Sequence, residues 1–408
     1  MSKTRYILLL LCSLFFVQCL WNESEVEPSY LPLDDSEYPY ADLPRLVIET
    51  VDFQQIRNKE TEVPAFLQIY GKDIPESEVK YLTIKGRGNS SFEMTKYGYK
   101  LEFENKEALL GMPKNRDWAL VALFCDRSFL RNYITYQLAK SLGDEFAPQL
   151  RFVELYLNRQ YMGLYQLTET IKVGKNRVNI PENDSSFLFE RSTTETDKPF
   201  FYSSLNHLFQ IRSPKNVSDS SKAMLENHII AFETFLQTNA VTNLDSLANW
   251  IDVNDFARYF LIQEFSMNQD GNRRSAYLTW QKGSPIQAGP VWDFDLAYGI
   301  SFHKVIEPTG WRVRDYGWNR YIFRNKAYQK KVRDFWNTHH TDFEVLLDTI
   351  DAMYPKLEKV SHNEFKRWPI LDEEYMWPFV ESVGSYPAAV DSLKSWIKRR
   401  IQWMDGNL

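Results

Sequence analysis

The sequence predicts an α+β fold with two lobes: a β-rich N-lobe over about 45–190 and a mainly helical C-lobe over about 191–408. Short β-like runs fill the first region, with one helical stretch among them. Long stretches of helical periodicity fill the second region. Strands and helices segregated in this way are typical of α+β proteins, and a cleft between two lobes is the default place for a ligand.

The N-lobe is predicted from runs rich in β-branched and aromatic residues that turn residues separate. An Asn158-Arg159-Gln160 turn joins two of these runs into a hairpin. Apolar residues at helical spacing predict one helix over Asp126–Leu142, which Gly143 ends. The predicted strands are Leu46–Val51, Ala65–Tyr70, Tyr81–Lys85, Tyr97–Glu104, Trp118–Phe124, Phe152–Leu157, Tyr161–Leu167 and Phe187–Glu190.

The C-lobe is predicted from four periodic stretches. The first two are Ser218–Gln237 and Val253–Met267, and Asp252 is placed to cap the second. The last two, around Tyr328–Asp351 and Ala388–Met404, close the chain.

The first 44 residues are predicted to lie outside the fold. Lys3 and Arg5 precede an apolar run over Tyr6–Leu20, which predicts a signal peptide over 1–19 and an exported protein. Cys19 is a candidate lipoprotein acceptor; a plain signal peptide or an uncleaved anchor is the alternative. Residues 20–44 carry seven acidic residues and no Lys or Arg, and are predicted to form a flexible tether. We therefore expect a protein of the cell surface, periplasm or outer envelope, attached to a membrane only through its signal or a lipid.

Charge and cysteine content exclude several classes of protein. The 408 residues carry a net charge of -6 and are 44% hydrophobic, so the chain is not disordered and lacks the excess of basic residues typical of a nucleic-acid binder. Five units of that charge come from residues 1–44, which leaves 45–408 nearly neutral. Two of the three cysteines lie in the predicted signal, so the exported protein is not a disulfide scaffold. Phosphate-loop, zinc-protease and serine-esterase motifs are absent from the sequence.

The candidate catalytic residues flank a predicted hairpin of two strands, Ser275–Trp280 and Ile286–Val291. Asp270 precedes the hairpin and Asp293-Phe294-Asp295 follows it, so antiparallel pairing brings the carboxylates together. Carboxylates that close need a proton or a divalent cation between them. Mg²⁺ with phosphate oxygens is one solution, and a glycosidase acid–base pair of Asp270 and Asp293 is another. The structural alternative is that both residues only cap turns.

Protein kinases share this layout: a catalytic Asp after a helix, a hairpin, then an Asp-Phe-Gly that holds the metal. Here Asp270 would accept the hydroxyl proton and Asp293 would bind the metal, while Asp295 replaces the glycine. Arg87, between two glycines, and Lys100 are cations that could meet phosphates. A plain turn at Arg87 and a solvated strand face at Lys100 are the alternatives.

Together these segments resemble the CotH (spore-coat protein H) kinase family. The resemblance covers roughly residues 80–300 in motif and 45–408 in architecture. The residues that carry it are Gly86–Ser90, Tyr99-Lys100, Leu109–Lys114, Asp126–Asn132, Gly163–Glu169, Val173–Ile180 and Pro290–Asp295.

The resemblance implies an exported atypical protein kinase with a kinase-like two-lobed fold. ATP would be the donor, Mg²⁺ or Mn²⁺ the cofactor, and a Ser/Thr residue of a surface protein the acceptor. The implied site residues are Asp270 as catalytic base, Asp293 and Asp295 as metal ligands, Arg87, Asn89 and Lys100 as nucleotide contacts, and Glu190 near the adenine.

One departure from the family pattern bears on activity. The family usually has an Asn five residues after the catalytic Asp, where this chain has Ser275. Either Asn272 replaces that ligand or the second metal site is weak, which leaves open a degenerate kinase. A surface binding or adhesion module with a cell-surface ligand is the alternative function from another class.

Overall fold

The computed structural model describes residues 33–74, 78–301, 304–376, 379–380 and 382–408. The chain divides into two units, Met1–Tyr38 and Pro39–Leu408. The predicted signal peptide and most of the predicted tether lie outside the described residues. Of the first unit, the structure describes a turn over 35–37, where the Ser36 amide donates to Asp34 at 2.9 Å. None of the helices in the described part of the chain has the length and hydropathy that a membrane span requires.

The second unit contains both strands and helices. Its helices are α1 (Arg131–Ser141), α2 (Asp219–Leu236), α3 (Leu244–Ala248), α4 (Val253–Phe265), α5 (Asn319–Ile322), α6 (Lys326–Arg367) and α7 (Tyr386–Asp405). Its strands are β1 (Arg45–Thr50), β2 (Val63–Tyr70), β3 (Lys80–Arg87), β4 (Gly98–Glu107), β5 (Asn115–Val121), β6 (Leu150–Leu157), β7 (Gln160–Glu169), β8 (Ser186–Ser192), β9 (Phe200–Tyr202), β10 (Leu208–Ser213), β11 (Ala276–Gln281), β12 (Gln287–Ala288), β13 (Tyr375–Met376) and β14 (Phe379–Val380).

Strands β1 to β7 close into a barrel in the order β1-β2-β3-β4-β5-β7-β6. Neighbouring strands are antiparallel except β1 and β6, whose parallel pairing closes the barrel. Apolar residues alternate along each strand, so that Leu46, Leu67, Leu101 and Trp118 fill the interior. The predicted β-rich first half is confirmed, and the barrel is complete at Glu169.

A second sheet follows, in the order β12-β11-β8-β10-β9. Strand β8 pairs antiparallel with both β10 and β11, and so belongs to this sheet rather than to the barrel. The predicted N-lobe boundary at about residue 190 falls within β8 and stays a prediction. The remainder is mixed rather than mainly helical: β9 and β10 were not predicted, and β10 pairs both with its sequence neighbour β9 and with the more distant β8.

The predicted helices are confirmed with shifted ends. Asp252 caps α4 as predicted, since its carboxylate accepts from the amides of Asn254 and Asp255 at 3.0 Å. The helix α6 runs to Arg367 and contains Pro355. It is joined to the barrel by a buried pair, in which the Lys96 ammonium lies 2.6 Å from the Glu364 carboxylate.

The folded unit starts earlier than predicted. Ala41 and Leu43, at the end of the predicted tether, are buried in the core. Pro39 also accepts a hydrogen bond from the Asn363 amide at 2.7 Å. Residues 39–408 form one compact unit of mixed α and β structure, and the kinase-like division into two lobes stays a prediction.

Candidate active site

A cavity of about 390 Å³ lies where the end of β3, the end of β5 and the second sheet meet the loops around β11 and β12. It brings together most of the side chains that the sequence predicts for the site. The predicted residues that line it are Arg87, Asn89, Glu190, Asp270, Asp293 and Asp295. Two predicted residues, Lys100 and Asn272, are absent from its lining.

The hairpin predicted between the carboxylates is present, with Leu278 paired to Ala288. Asn268 joins its two ends: the Asn268 side-chain oxygen accepts from the Asp270 amide at 3.1 Å, and its side-chain nitrogen donates to the Asp293 carbonyl at 3.3 Å. One short side chain thus fixes the loop after α4 against the Asp-Phe-Asp segment.

The Asp270 carboxylate is buried, with 3% of the residue exposed, and its two oxygens differ. Oδ2 accepts from the Arg274 Nε at 2.7 Å. Among the described residues Oδ1 has no hydrogen-bond partner, and the Arg273 guanidinium lies 3.8 Å from it. Burial raises the pKa of Asp270, although Arg274 opposes the rise. The side chain is therefore oriented by one oxygen and open at the other.

Asp293 and Asp295 stand on either side of a buried phenylalanine. The Phe294 amide donates to the Asn132 side chain of α1 at 2.8 Å, and the Phe294 ring is fully buried. Asp293 has a φ of 69°, a left-handed conformation that non-glycine residues rarely adopt. Its Oδ2 accepts from the Ser275 hydroxyl at 3.0 Å. The peptide group between Asp293 and Phe294 is thus held at both its carbonyl and its amide, which fixes the Asp293 backbone at the cavity.

The carboxylates repel one another. Burial, and next the charges of Asp293 and Asp270, raise the pKa of Asp295 well above its ordinary value. In the described residues, no group of three or more His, Cys, Asp or Glu side chains is arranged to hold a metal ion by itself. Mg²⁺ is commonly held by only one or two protein carboxylates, with phosphate oxygens and water completing its shell. Two adjacent carboxylates with excess negative charge fit that mode of binding.

Cations line the same cavity as these carboxylates. The Arg87 guanidinium lies 4.9 Å from the centre of the Trp292 ring. Lys198 and Arg212 come from the second sheet, and Arg212 pairs with Glu190 at 3.3 Å. Burial and then the neighbouring Arg212 lower the pKa of Lys198. A polyanion would satisfy these charges.

Lys100 does not reach the cavity. It lies on β4 between the buried Tyr99 and Leu101, so strand alternation turns it outward. Its ammonium is 2.5 Å from Glu102 and 3.6 Å from Asp117. Lys100 therefore lies on a solvated face of the strand, which is the alternative that the sequence leaves open for it.

Asn272 is also turned away from the carboxylates. It borders a separate small cavity beside Phe256 and Trp318. Its backbone carbonyl accepts from the Arg191 guanidinium. Asn272 therefore does not take the position that the family's Asn would fill, and Ser275 occupies the place beside Asp293.

The sequence prediction missed Asn268 and Arg274, which orient Asp270, and Asn132, which holds Phe294. Arg274 could have been found, since a residue four positions from an Asp in a tight turn can fold back onto it. Lys198 and Arg212 could not have been found, because they reach the cavity through the pairing of β8, β9 and β10.

Comparison with known proteins gives one family. A family model described as CotH kinase protein matches residues 84–404, which include every residue of the cavity described above. No curated protein matches the chain significantly.

Proposed function

This chain belongs to the CotH kinase protein family, and from that premise we propose that it is an atypical protein kinase that transfers the γ-phosphoryl group of ATP to a Ser or Thr hydroxyl. The observation that carries the proposal is the pair of Asp270 and Asp293 on one cavity, with the buried Oδ1 of Asp270 lacking a hydrogen-bond partner in the described part of the chain. A buried acceptor without a donor is costly in a fold unless a substrate supplies the donor.

Asp270 is the proposed catalytic base. Arg274 binds its Oδ2, which fixes the plane of the carboxylate and helps to keep it ionised. Oδ1 is then available to accept the proton of the attacking hydroxyl. Positioning of a base in this way is the main contribution that a kinase makes at the nucleophile.

Asp293 and Asp295 are the proposed ligands of a Mg²⁺ or Mn²⁺ ion. The repulsion that raises the pKa of Asp295 is the charge that such a cation would neutralise. When bound, the ion would offset the negative charge that develops on the transferred phosphoryl group. Ser275 would orient Asp293 through its hydroxyl instead of supplying the amide oxygen usual in the family.

The nucleotide is proposed to lie across the cavity. Arg87, the last residue of β3, and Asn89 just beyond it would contact its phosphates together with Lys198 and Arg212. Glu190 stays the proposed neighbour of the adenine. Lys100 is left out, because its charge is already paired with acidic side chains on the barrel surface.

We also propose an arrangement of the lobes, a cellular location and an acceptor. The barrel would serve as the smaller kinase lobe, and the second sheet with the helices as the larger one. The N-terminal sequence supports export, with attachment to the envelope through Cys19. The acceptor would then be a Ser/Thr-bearing protein of the cell surface.

The experiment that tests the function measures transfer of labelled phosphate from ATP to casein in the presence of Mn²⁺. Loss of a general base is expected to slow transfer by about 10²–10⁴-fold in Asp270→Asn. Asp315→Asn, which changes a carboxylate that is 80% exposed, serves as the matched control and should act as wild type.

Equal rates in Asp270→Asn and wild type would contradict the role of Asp270. A wild type that binds ATP with Mn²⁺ but transfers nothing would identify the degenerate kinase that Ser275 leaves open.

A further inference from the structure

The segment that joins β8 to β9 borders the candidate active site. Ser192, which ends β8, and Thr194 and Thr196 of the segment line the same cavity as Asp270 and Asp293. Residues 193–197 are exposed, so these threonine side chains lie at the solvent side of the cavity. Hydroxyl-bearing residues of the chain itself therefore lie at the same cavity as the candidate catalytic residues.

Strand register brings the start of this segment close to the carboxylates. Ala276 of β11 pairs with Arg191 of β8. In an antiparallel pair the next positions outward are Ser275 and Ser192, and the Ser275 hydroxyl binds Asp293. The Arg191 guanidinium also donates to the carbonyl of Asn272, two residues after Asp270. The segment thus leaves the sheet beside the catalytic loop.

The hydroxyls of the segment differ in their availability. The Ser192 hydroxyl donates to the Thr194 carbonyl at 2.9 Å, so its proton is already used. The Thr194 carbonyl also accepts from Gln210 at 2.7 Å, which pins the Thr194 backbone while its side chain stays exposed. The Thr196 hydroxyl oxygen accepts from the Lys198 amide at 3.3 Å, an arrangement that does not use the hydroxyl proton.

We propose that Thr194 and Thr196 are intramolecular phosphoryl acceptors, which makes this segment an autophosphorylation site; the proposal rests on the kinase function proposed above. The threonine oxygen forms the new bond to the γ-phosphorus, and the bond from that phosphorus to the β,γ-bridging oxygen breaks. Its electron pair leaves with ADP, and the hydroxyl proton passes to the Asp270 carboxylate. The product phosphate would carry nearly two negative charges within two to four residues of Lys198.

The test incubates the full exported chain with ATP and Mn²⁺ and maps phosphorylated residues by mass spectrometry. We expect phosphate on Thr194 or Thr196, at a rate per molecule that does not change over a tenfold dilution. The double variant Thr194→Val/Thr196→Val should lose at least nine-tenths of this label. Thr193→Val removes an exposed neighbouring hydroxyl outside the cavity lining and should keep it.

A parallel assay with casein separates the two claims. Casein phosphorylation by a wild type whose segment 192–198 stays unmodified would overturn the autophosphorylation site and leave the kinase function standing. Absence of transfer to either acceptor would overturn the kinase function itself. A rate per molecule that rises with enzyme concentration would also overturn the intramolecular proposal.

Discussion

Glu233 in α2 and Asp270 after α4 are carboxylates that the fold buries, yet their surroundings differ. The Glu233 side chain has no exposed surface and accepts hydrogen bonds from five groups. These donors, all within 3.0 Å, are the hydroxyls of Ser203 and Ser204, the Leu205 amide, the His207 ring and the Trp318 indole. Asp270 accepts one side-chain hydrogen bond, from Arg274.

The difference shows in the acidity of the two groups. Burial acts to raise the pKa of both carboxyls. At Glu233 the surrounding donors outweigh burial and hold the pKa at about 2. At Asp270 burial prevails over Arg274, and the pKa is raised. A buried carboxylate with complete hydrogen bonding stabilises the fold, whereas one left incomplete at a cavity is a candidate for function.

We expect the largest loss of stability from a substitution of Glu233, whose hydrogen bonding is complete. Glu233→Gln places an amide NH₂ against a ring of donors and should lower the free energy of unfolding by about 3 kcal/mol. Chemical denaturation followed by circular dichroism measures this change. A loss below about 1 kcal/mol would show that the five hydrogen bonds do not set Glu233 apart from the cavity carboxylates.

The same chemical change is expected to be mild at the cavity. Asp270→Asn keeps an oxygen for Arg274 and removes a buried charge, so the free energy of unfolding should stay constant or rise by up to about 1 kcal/mol. The same denaturation measurement applies, without metal or nucleotide. A loss as large as that of Glu233→Gln would assign Asp270 a structural role.

The pH dependence of stability should separate the two residues by sign. The pKa of Glu233 is lowered from 4.5 to about 2, so its stabilising effect is complete above pH 4.5 and is lost as the pH falls to 2. The pKa of Asp270 is raised above 3.8, so its ionisation costs stability, and the cost disappears as the pH falls through that raised value.

Unfolding curves of wild type, Glu233→Gln and Asp270→Asn between pH 2 and 8 check these signs. Each difference from wild type should change by at most about 1.4 kcal/mol per pH unit, the limit for one proton. A stability difference for Glu233→Gln that stays constant from pH 4.5 to 2 would refute the lowered pKa.

Local patterns in the sequence predicted much of this site. The hairpin between Asp270 and Asp293 depends on a turn and two adjacent strands, and Asp252 caps α4 through its nearest amides. Lys100 lies outside the cavity lining because the adjacent motif residues Tyr99 and Lys100 point to opposite faces of a strand.

The parts of the fold and site that the sequence did not predict depend on strand pairing between separate parts of the chain. Lys198 and Arg212 reach the cavity only because β10 lies between β8 and β9, and the barrel closes only because β1 pairs with β6. Neither contact leaves a periodic signal in the sequence. The same pairing makes Glu233 structural, since its donors come from the β9–β10 turn and from Trp318.

The central claim is that Asp293 and Asp295 form a site for a divalent cation with a nucleotide beside Asp270, and calorimetric titration of Mn²⁺ tests it most directly. In the presence of a non-hydrolysable ATP analogue, wild type and the surface variant Asp315→Asn should bind Mn²⁺ with the same affinity. Asp293→Asn should bind it at least about tenfold more weakly. Equal affinity in Asp293→Asn, or no Mn²⁺ binding by wild type, would contradict the claim.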